Sequence, residues 1–384
     1  VAISDYESAI SLKQDFIEAY SNLAQLQLKK GKKKEAFIIF YKILEIDSRH
    51  VHTYFNMAHL FKEVGQIDSA VKAMMSIKNI DPSYEQIDGW IIHYELFASK
   101  WDNYHTNLQD LKDKLAKFKF VSNPFIALTS IDDPLLQYNA ARQYVRNKGL
   151  ESSLKNKKLK YNNSKIRIGY YSSDFFKHAT AYLMAELFEL HDKDKFEIYG
   201  FSFGADIEDE MTTRIKNSCS HFHQVDNLNG EEIAHLSRQC NIDIAIDLKG
   251  YTRNARPSIF SHRAAPIQVN YLGYPGTMGN PNIDFIIADE TIIPKINQKF
   301  FSEKIAYMPN CYQVNDRHRK MSTDTPKRKD YGLPANGFVF CCFNYNYKIT
   351  PEVFDSWARI LKNVDGSVLW LLHDNFHSSS NLIQ

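Results

Sequence analysis

A spacing of 34 residues recurs through the first third of the chain. Tyr20 aligns with Tyr54, Asn22 with Asn56, Ala24 with Ala58, Leu26 with Leu60, Gly31 with Gly65 and Ala36 with Ala70, and Ile46-Asp47 falls on Ile80-Asp81. A repeat of this length describes one helical hairpin, which cannot bury its apolar face alone, so neighbouring copies must stack. Gly31 and Gly65 close the first helix of each unit, and the alanines let paired helices approach closely. The aromatic and alanine positions are read as packing between helices.

This period and its small residues are the signature of a tetratricopeptide array, assigned to 1–120. Pro82 opens a third, decayed unit in which Ser99 takes the glycine position. About three units are needed for a stable stack, so more repeats are expected before Val1, or the following domain caps the array. Such a solenoid presents a concave groove for peptides. Residues 121–164 read as a helical linker punctuated by Asn123-Pro124 and Asp133-Pro134, and the polar, basic run 151–165 is where we place the domain boundary.

From 165 to 310 the rhythm changes. The strand-like runs IRIGYYSS (166–173), FEIYGFSF (196–203), HFHQV and IDIAIDL alternate with helical stretches such as AYLMAELFELH and EEIAHLSRQC, the latter with a cap at Asn229 and Glu232. This alternation predicts a parallel sheet with helices on both faces. No GxGxxG follows the first strand, which demotes dinucleotide chemistry. A polar connection, 311–335, leads to a fresh βαβ start at 336–384: GFVFCCFN, then PEVFDSWARILKNV behind Thr350, then SVLWLLHD. The fold class is therefore an N-terminal α-solenoid, a Rossmann-like α/β lobe, and the beginning of a second α/β lobe.

Composition narrows the function. A net charge of +2 with 24% charged residues provides no global field for nucleic acid or anionic membranes. The five cysteines include no CxxC pair and no ligand-like spacing with histidine, which argues against zinc or disulfides and fits a reducing compartment. No stretch reaches about 18 apolar residues. A chain that opens without Met and ends just after a strand-like run is expected to be a fragment of a longer protein.

In a parallel sheet, chemistry belongs to loops at the carboxyl ends of strands. The first such loop carries Asp174, Lys177, His178 and Thr180; His178 can contact a substrate hydroxyl or sugar, the competing reading being a bond to a loop carbonyl. Residues 242–278 deliver two small-residue turns, Gly250-Tyr251-Thr252 and Gly273-Tyr274-Pro275-Gly276-Thr277, whose glycines permit close backbone approach to a ligand or simply make a tight turn. In the last lobe, Asn344-Tyr345-Asn346-Tyr347-Lys348 sets a lysine before a helix N-terminus, an arrangement suited to a diphosphate, though single lysines at helix starts are common.

Repeats followed by IRIGYYSSDFFKHAT, DLKGYTRNARPSIFSHRAAPIQVNYLGYPGTMG, DFIIADE, FSEKIAYMPN and FCCFNYNYKITPEVFDSWARILKNVDGSVLWLL resemble the O-linked N-acetylglucosamine transferase / SPINDLY family of protein glycosyltransferases. The short inter-lobe connection looks more like bacterial members. The resemblance implies a GT-B architecture, inverting transfer of N-acetylglucosamine from UDP-N-acetylglucosamine to Ser/Thr of protein acceptors in the cytoplasm, and neither cofactor nor metal. It implies catalytic roles for His178 and Lys348, the latter at the donor diphosphate. Thr252, Leu272, Gly273, Tyr274, Pro275, Gly276 and Thr277 would line the sugar and acceptor side, and Asn344 and Tyr345 the donor. The chain departs from animal-type members at Tyr345, where they carry Gln, and at Asp243, where they carry His. Protein O-fucosyl transfer from GDP-fucose and an inactive peptide-binding scaffold are the alternatives.

Overall fold

The computed structural model describes residues 2–151 and 160–383, so most of the polar stretch at the expected domain boundary lies outside the described residues. The chain divides into two compact units, Val1–Asp113 with Pro326–Gln384, and Lys114–Thr325.

In the first unit, helix α1 (Ala2–Leu12) precedes the hairpins α2 (Ile17–Lys29) with α3 (Lys33–Ile46) and α4 (Val51–Glu63) with α5 (Ile67–Ile80); α6 (Ile87–Phe97) packs on α5, and most of α7 (Tyr104–Ala116) follows in the same unit. Gly31, Gly65 and Ser99 all sit at positive φ, so the third unit keeps the turn of the first two without its glycine. Ala24, Ala36, Ala58 and Ala70 have no exposed surface and pack with Phe40, Ile43, Met74 and Ile77. The period is thus a packing code: small residues sit where helices cross, and larger ones fill the space beside them.

The second unit begins with α8 (Pro124–Ser130) and α9 (Pro134–Asn147). Each starts with Pro behind an N-cap, the Asn123 and Asp133 side chains accepting from the first-turn N–H groups. The α/β rhythm then runs β1 (Ile166–Ser172), α10 (Ala179–Leu190), β2 (Phe196–Ser202), α11 (Glu210–Ser218), β3 (His221–Gln224), α12 (Gly230–Gln239), β4 (Ile244–Asp247), α13 (Ser258–Ser261), β5 (Ile267–Asn270), β6 (Phe285–Ala288) and β7 (Lys304–Tyr307). The strands form one parallel sheet in the order β3-β2-β1-β4-β5-β6-β7. This is the doubly wound order, with its switch point between β1 and β4. One face packs Tyr171, Phe201, Ile233 and Phe260, the other Tyr170, Met184, Phe188 and Ile215, so both faces are covered.

The helices read as a linker pack within this unit: the Tyr274 hydroxyl donates to the Pro124 carbonyl at 3.3 Å, and Arg142 to that of Gly279 at 3.0 Å. The start of the polar connection also packs here. Tyr312 and Val314 lie against the sheet core, and the Arg317 guanidinium and backbone N–H donate to Glu186 at 2.6–2.8 Å.

The last segment, assigned with the repeats to the first unit, contains β8 (Val339–Cys342), α14 (Pro351–Asn363), β9 (Val368–Leu371) and α15 (Phe376–Ile383), with β8 and β9 parallel. It is anchored on the repeats. Asn375 donates to the Phe97 carbonyl and Asn381 to that of Ala98, at 2.9 and 2.8 Å, and the Tyr347 ring lies 4.9 Å from that of Phe97.

Candidate functional site

The carboxyl ends of β1 and β4 lie side by side because Tyr171 pairs with Asp247 in their parallel register. An open sheet parts its connecting helices here, leaving a crevice for a ligand. Two loops enter it: 173–178 after β1, and 248–252 after β4.

Their meeting point is an ion pair that sequence reading missed. The Lys249 ammonium bonds Asp174 Oδ2, and both residues are 5% exposed. Asp174 is fixed further by the Ser173 hydroxyl on Oδ1 at 2.8 Å and by its own N–H on Ser172 Oγ at 3.0 Å. His178 Nδ1 lies 3.5 Å from Asp174 Oδ2. His178 is also the N-cap of α10, its Nδ1 accepting from the Thr180 N–H at 3.2 Å. Burial holds the imidazole below its ordinary pKa; Asp174 opposes that effect and Lys249 reinforces it. The ring is half-buried, which leaves it within reach of a ligand.

Thr252 joins the same cluster by its backbone side, since its N–H and hydroxyl both return to the Lys249 carbonyl, at 3.1 and 2.8 Å. A cavity of about 230 Å³ opens beside it, lined by Tyr251, Asn254 and Tyr144 and by Asn123-Pro124 at the start of α8. His178 and Thr252 are therefore both referred to Lys249, one through Asp174 and one directly.

The glycines of the two turns are required by the packing of the turns on each other. A Cβ on Gly250, at φ +53°, would fall 2.4 Å from that of Tyr274, and one on Gly273 would fall 2.1 Å from the Leu248 carbonyl oxygen. The two turns press on each other, and Leu272 takes φ +67° to permit it. Leu272, Tyr274, Gly276 and Thr277 are buried, the Thr277 hydroxyl being spent on the buried carboxylate of Glu303 at 2.8 Å. Gly273 and Pro275 keep part of their surface.

Beneath the turns, Asp247 pairs in register with Asn270 at the ends of β4 and β5. Asp247 Oδ2 and Asn270 Oδ1 have no hydrogen-bond partner among the described residues. Burial pushes the Asp247 carboxyl up to about 6, against the pull of the Lys249 and Gly250 N–H groups. Asp243 sits at the opposite end of β4, where its Oδ2 accepts from the Arg167 N–H at 2.9 Å and from Asn163 at 2.8 Å, a structural role remote from the crevice.

The remaining predicted residues belong to the first unit. Lys348 is exposed, its ammonium donating to Asn344 Oδ1 at 3.3 Å, and α14 begins at Pro351 behind the Thr350 cap. Tyr345 is exposed and stacks on Tyr347 at 6.0 Å. Asn346, which sequence reading assigned no role, is 1% exposed with neither amide atom partnered among the described residues. A lysine with one weak neutral partner, just before the N-terminus of a 13-residue helix, can turn to an anion with little rearrangement. Among the described residues, no three His, Cys, Asp or Glu side chains are grouped to hold a metal ion, and no helix is long and apolar enough to cross a membrane.

A doubly wound sheet with an ionisable cluster at its switch point, behind paired-helix repeats, defines a repeat-bearing α/β protein with a ligand crevice. Sequence profiles make it specific. The profile of glycosyl transferase family 41 matches residues 150–327 and 322–384, and that of the tetratricopeptide repeat matches 17–50 and 51–84. The chain belongs to glycosyl transferase family 41.

Among its relatives, the probable UDP-N-acetylglucosamine–peptide N-acetylglucosaminyltransferase SEC of Arabidopsis thaliana is 41% identical over 213 residues, covering 54% of this chain and 22% of the relative. The SPINDLY protein of the same plant, which carries the same activity in its name, is 32% identical over 211 residues, with 53% and 22% covered. The Caenorhabditis elegans UDP-N-acetylglucosamine–peptide N-acetylglucosaminyltransferase is 25% identical over 334 residues, with 58% and 29% covered. The matched part thus spans between a fifth and a third of the length of these relatives. A solved mutant of the Thermobaculum terrenum O-GlcNAc transferase shares the fold with a TM-score of 0.70 at 22% identity, over 92% of this chain and 68% of that one.

Proposed function

We propose that the intact protein is an inverting protein O-glycosyltransferase of GT-B architecture. It moves N-acetylglucosamine from UDP-N-acetylglucosamine to Ser/Thr hydroxyls of proteins held by the repeat groove, in the cytoplasm and without a metal or cofactor. The observation that carries this reading is the His178-Asp174-Lys249 cluster at the switch point of a family 41 lobe, where an open α/β sheet binds its ligand. The names of the relatives supply the donor and the peptide acceptor. Lys348 and the start of α14 meet the charge that grows on the departing nucleoside diphosphate, the work a metal does elsewhere. His178 serves the sugar and acceptor side, with Thr252, Gly273 and Pro275 beside it; Asn344 and Tyr345 serve the donor.

GDP-fucose, the alternative donor, stays in the test, although the SPINDLY relative too is named for UDP-N-acetylglucosamine. Incubating the intact protein with each nucleotide sugar and following nucleotide release separates the two. Release of UDP from UDP-N-acetylglucosamine supports the reading, and turnover of GDP-fucose alone overturns it.

A further inference from the structure

We propose that the first turn of α10 and Lys249 together hold His178 as a neutral imidazole with its proton on Nε2, so that this side chain offers the ligand a hydrogen-bond donor and not a base. The inference rests on the reading of this loop as part of the glycosyl-transfer site.

The argument starts from the N-cap. The Thr180 N–H points at Nδ1, 3.2 Å away, and an N–H can only donate, so Nδ1 must carry a lone pair. A proton on Nδ1 would replace that bond by two opposed donors, at the positive end of a 12-residue helix. The neutral ring therefore carries its proton on Nε2, the nitrogen not used by the cap.

One group could reverse this preference. Asp174 Oδ2, 3.5 Å from Nδ1, would reward an imidazolium, as carboxylates beside histidines commonly do. Its charge is already engaged. Lys249 occupies the same oxygen from the β4 loop, and the Ser173 hydroxyl occupies the other. A second cation beside the buried Lys249 ammonium would share one carboxylate, which costs more than either cation alone. Among the described residues, the other charges of this loop are engaged elsewhere: Lys177 turns its ammonium to Glu210 at 3.2 Å and its N–H to Asp209 at 2.7 Å, and a further ring neighbour, Phe176, lies at 6.0 Å and is uncharged.

The chemical consequence is a change of role. An imidazole whose Nδ1 is committed to the backbone and whose Nε2 bears hydrogen cannot take the proton of an attacking hydroxyl. It can donate through Nε2–H to an oxygen of the sugar, the acceptor or the diphosphate. Lys249 is then a positioning residue that acts through Asp174, and Asp174 a counter-ion kept from charging the histidine.

The test is a two-bond proton–nitrogen correlation spectrum of the nitrogen-15-labelled protein, with the His178 signals assigned by their loss in His178→Gln. The expected spectrum at neutral pH has hydrogen on Nε2 and none on Nδ1. Its titration midpoint lies below the ordinary histidine value of 6.5. Lys249→Met frees Asp174 and raises the midpoint by about one pH unit or more, and Asp174→Asn lowers it. Hydrogen on Nδ1 at neutral pH overturns the proposal, as does a midpoint that neither variant moves. Should Lys249→Met not fold, the wild-type tautomer and Asp174→Asn decide the question alone.

In turnover, His178→Gln keeps an N–H near the position of Nε2 but cannot accept a proton. It is expected to lose about tenfold where His178→Ala loses about 100-fold or more. Equal losses overturn the donor role. A protein with the expected tautomer that turns over no nucleotide sugar contradicts the functional reading and leaves this inference standing.

Discussion

The Lys249 ammonium and the Asp174 carboxylate meet where β1 and β4 end, each side chain only 6% exposed. They are 75 residues apart in the chain and adjacent only because the sheet order makes their strands neighbours. A buried pair of this kind couples the two loops of the crevice, and its value shows when one partner is removed.

Lys249→Met leaves a buried, uncompensated carboxylate and is expected to cost about 3–5 kcal/mol. Lys249→Met with Asp174→Leu removes both charges and should recover much of that loss. Urea unfolding of the two variants measures the difference. Equal losses in the single and double variants would show that the pair contributes little beyond packing.

Gly273→Ala places a methyl 2.1 Å from the Leu248 carbonyl oxygen, and backbone cannot swing away as a side chain can. Gly65→Ala, with nothing within 4 Å but φ +78°, bears only the conformational cost, about 1–2 kcal/mol. Thermal unfolding should therefore rank Gly273→Ala well below Gly65→Ala. A Gly273→Ala protein as stable as the Gly65→Ala protein contradicts the account of two turns in mutual contact.

Asp247 makes a pH prediction of definite sign. Its folded pKa, about 6, stands above the ordinary aspartate value of 3.8, so the folded state holds the proton more tightly. Its contribution to stability is fully present below pH 3.8 and is lost as pH rises toward 6, by about 3 kcal/mol in all. Asp247→Asn keeps an acceptor for the Lys249 N–H and removes the charge. Its stability relative to wild type should climb between about pH 4 and 6 and level off above that range. A difference that stays flat across the window refutes the buried, reluctantly charged carboxyl.

Lys348→Ala is expected to lower kcat of the intact protein by about 100-fold or more, the scale of losing one preorganised charge stabiliser. Steady-state turnover of the donor measures it, and a loss below about tenfold counts against a role at the diphosphate.

Much of the fold was legible because it is written in local terms. The spacing of Gly31 from Gly65 and of Ala24 from Ala58 exposes the hairpins. Asn229 with Glu232, and Thr350 before Pro351, mark helix starts that the structure keeps, and the apolar runs around Ile168, Ile198 and Ile246 mark strands of one parallel sheet. What escaped depends on contacts between distant segments. Nothing near Lys249 says that it will face Asp174, and nothing near Gly273 says that Leu248 will occupy the space its side chain would need. The attachment of Tyr274 to Pro124 and of Arg317 to Glu186 is likewise invisible locally, so helices and loops that read as connections prove to be parts of the α/β unit.

The most direct test of glycosyl transfer is intact-mass spectrometry of a Ser/Thr-rich peptide after incubation with the intact protein, once with UDP-N-acetylglucosamine and once with GDP-fucose. The account predicts addition of one N-acetylhexosamine per modified hydroxyl from the first donor, much diminished in Lys348→Ala. Modification from GDP-fucose alone, or a peptide unchanged by both donors, contradicts it.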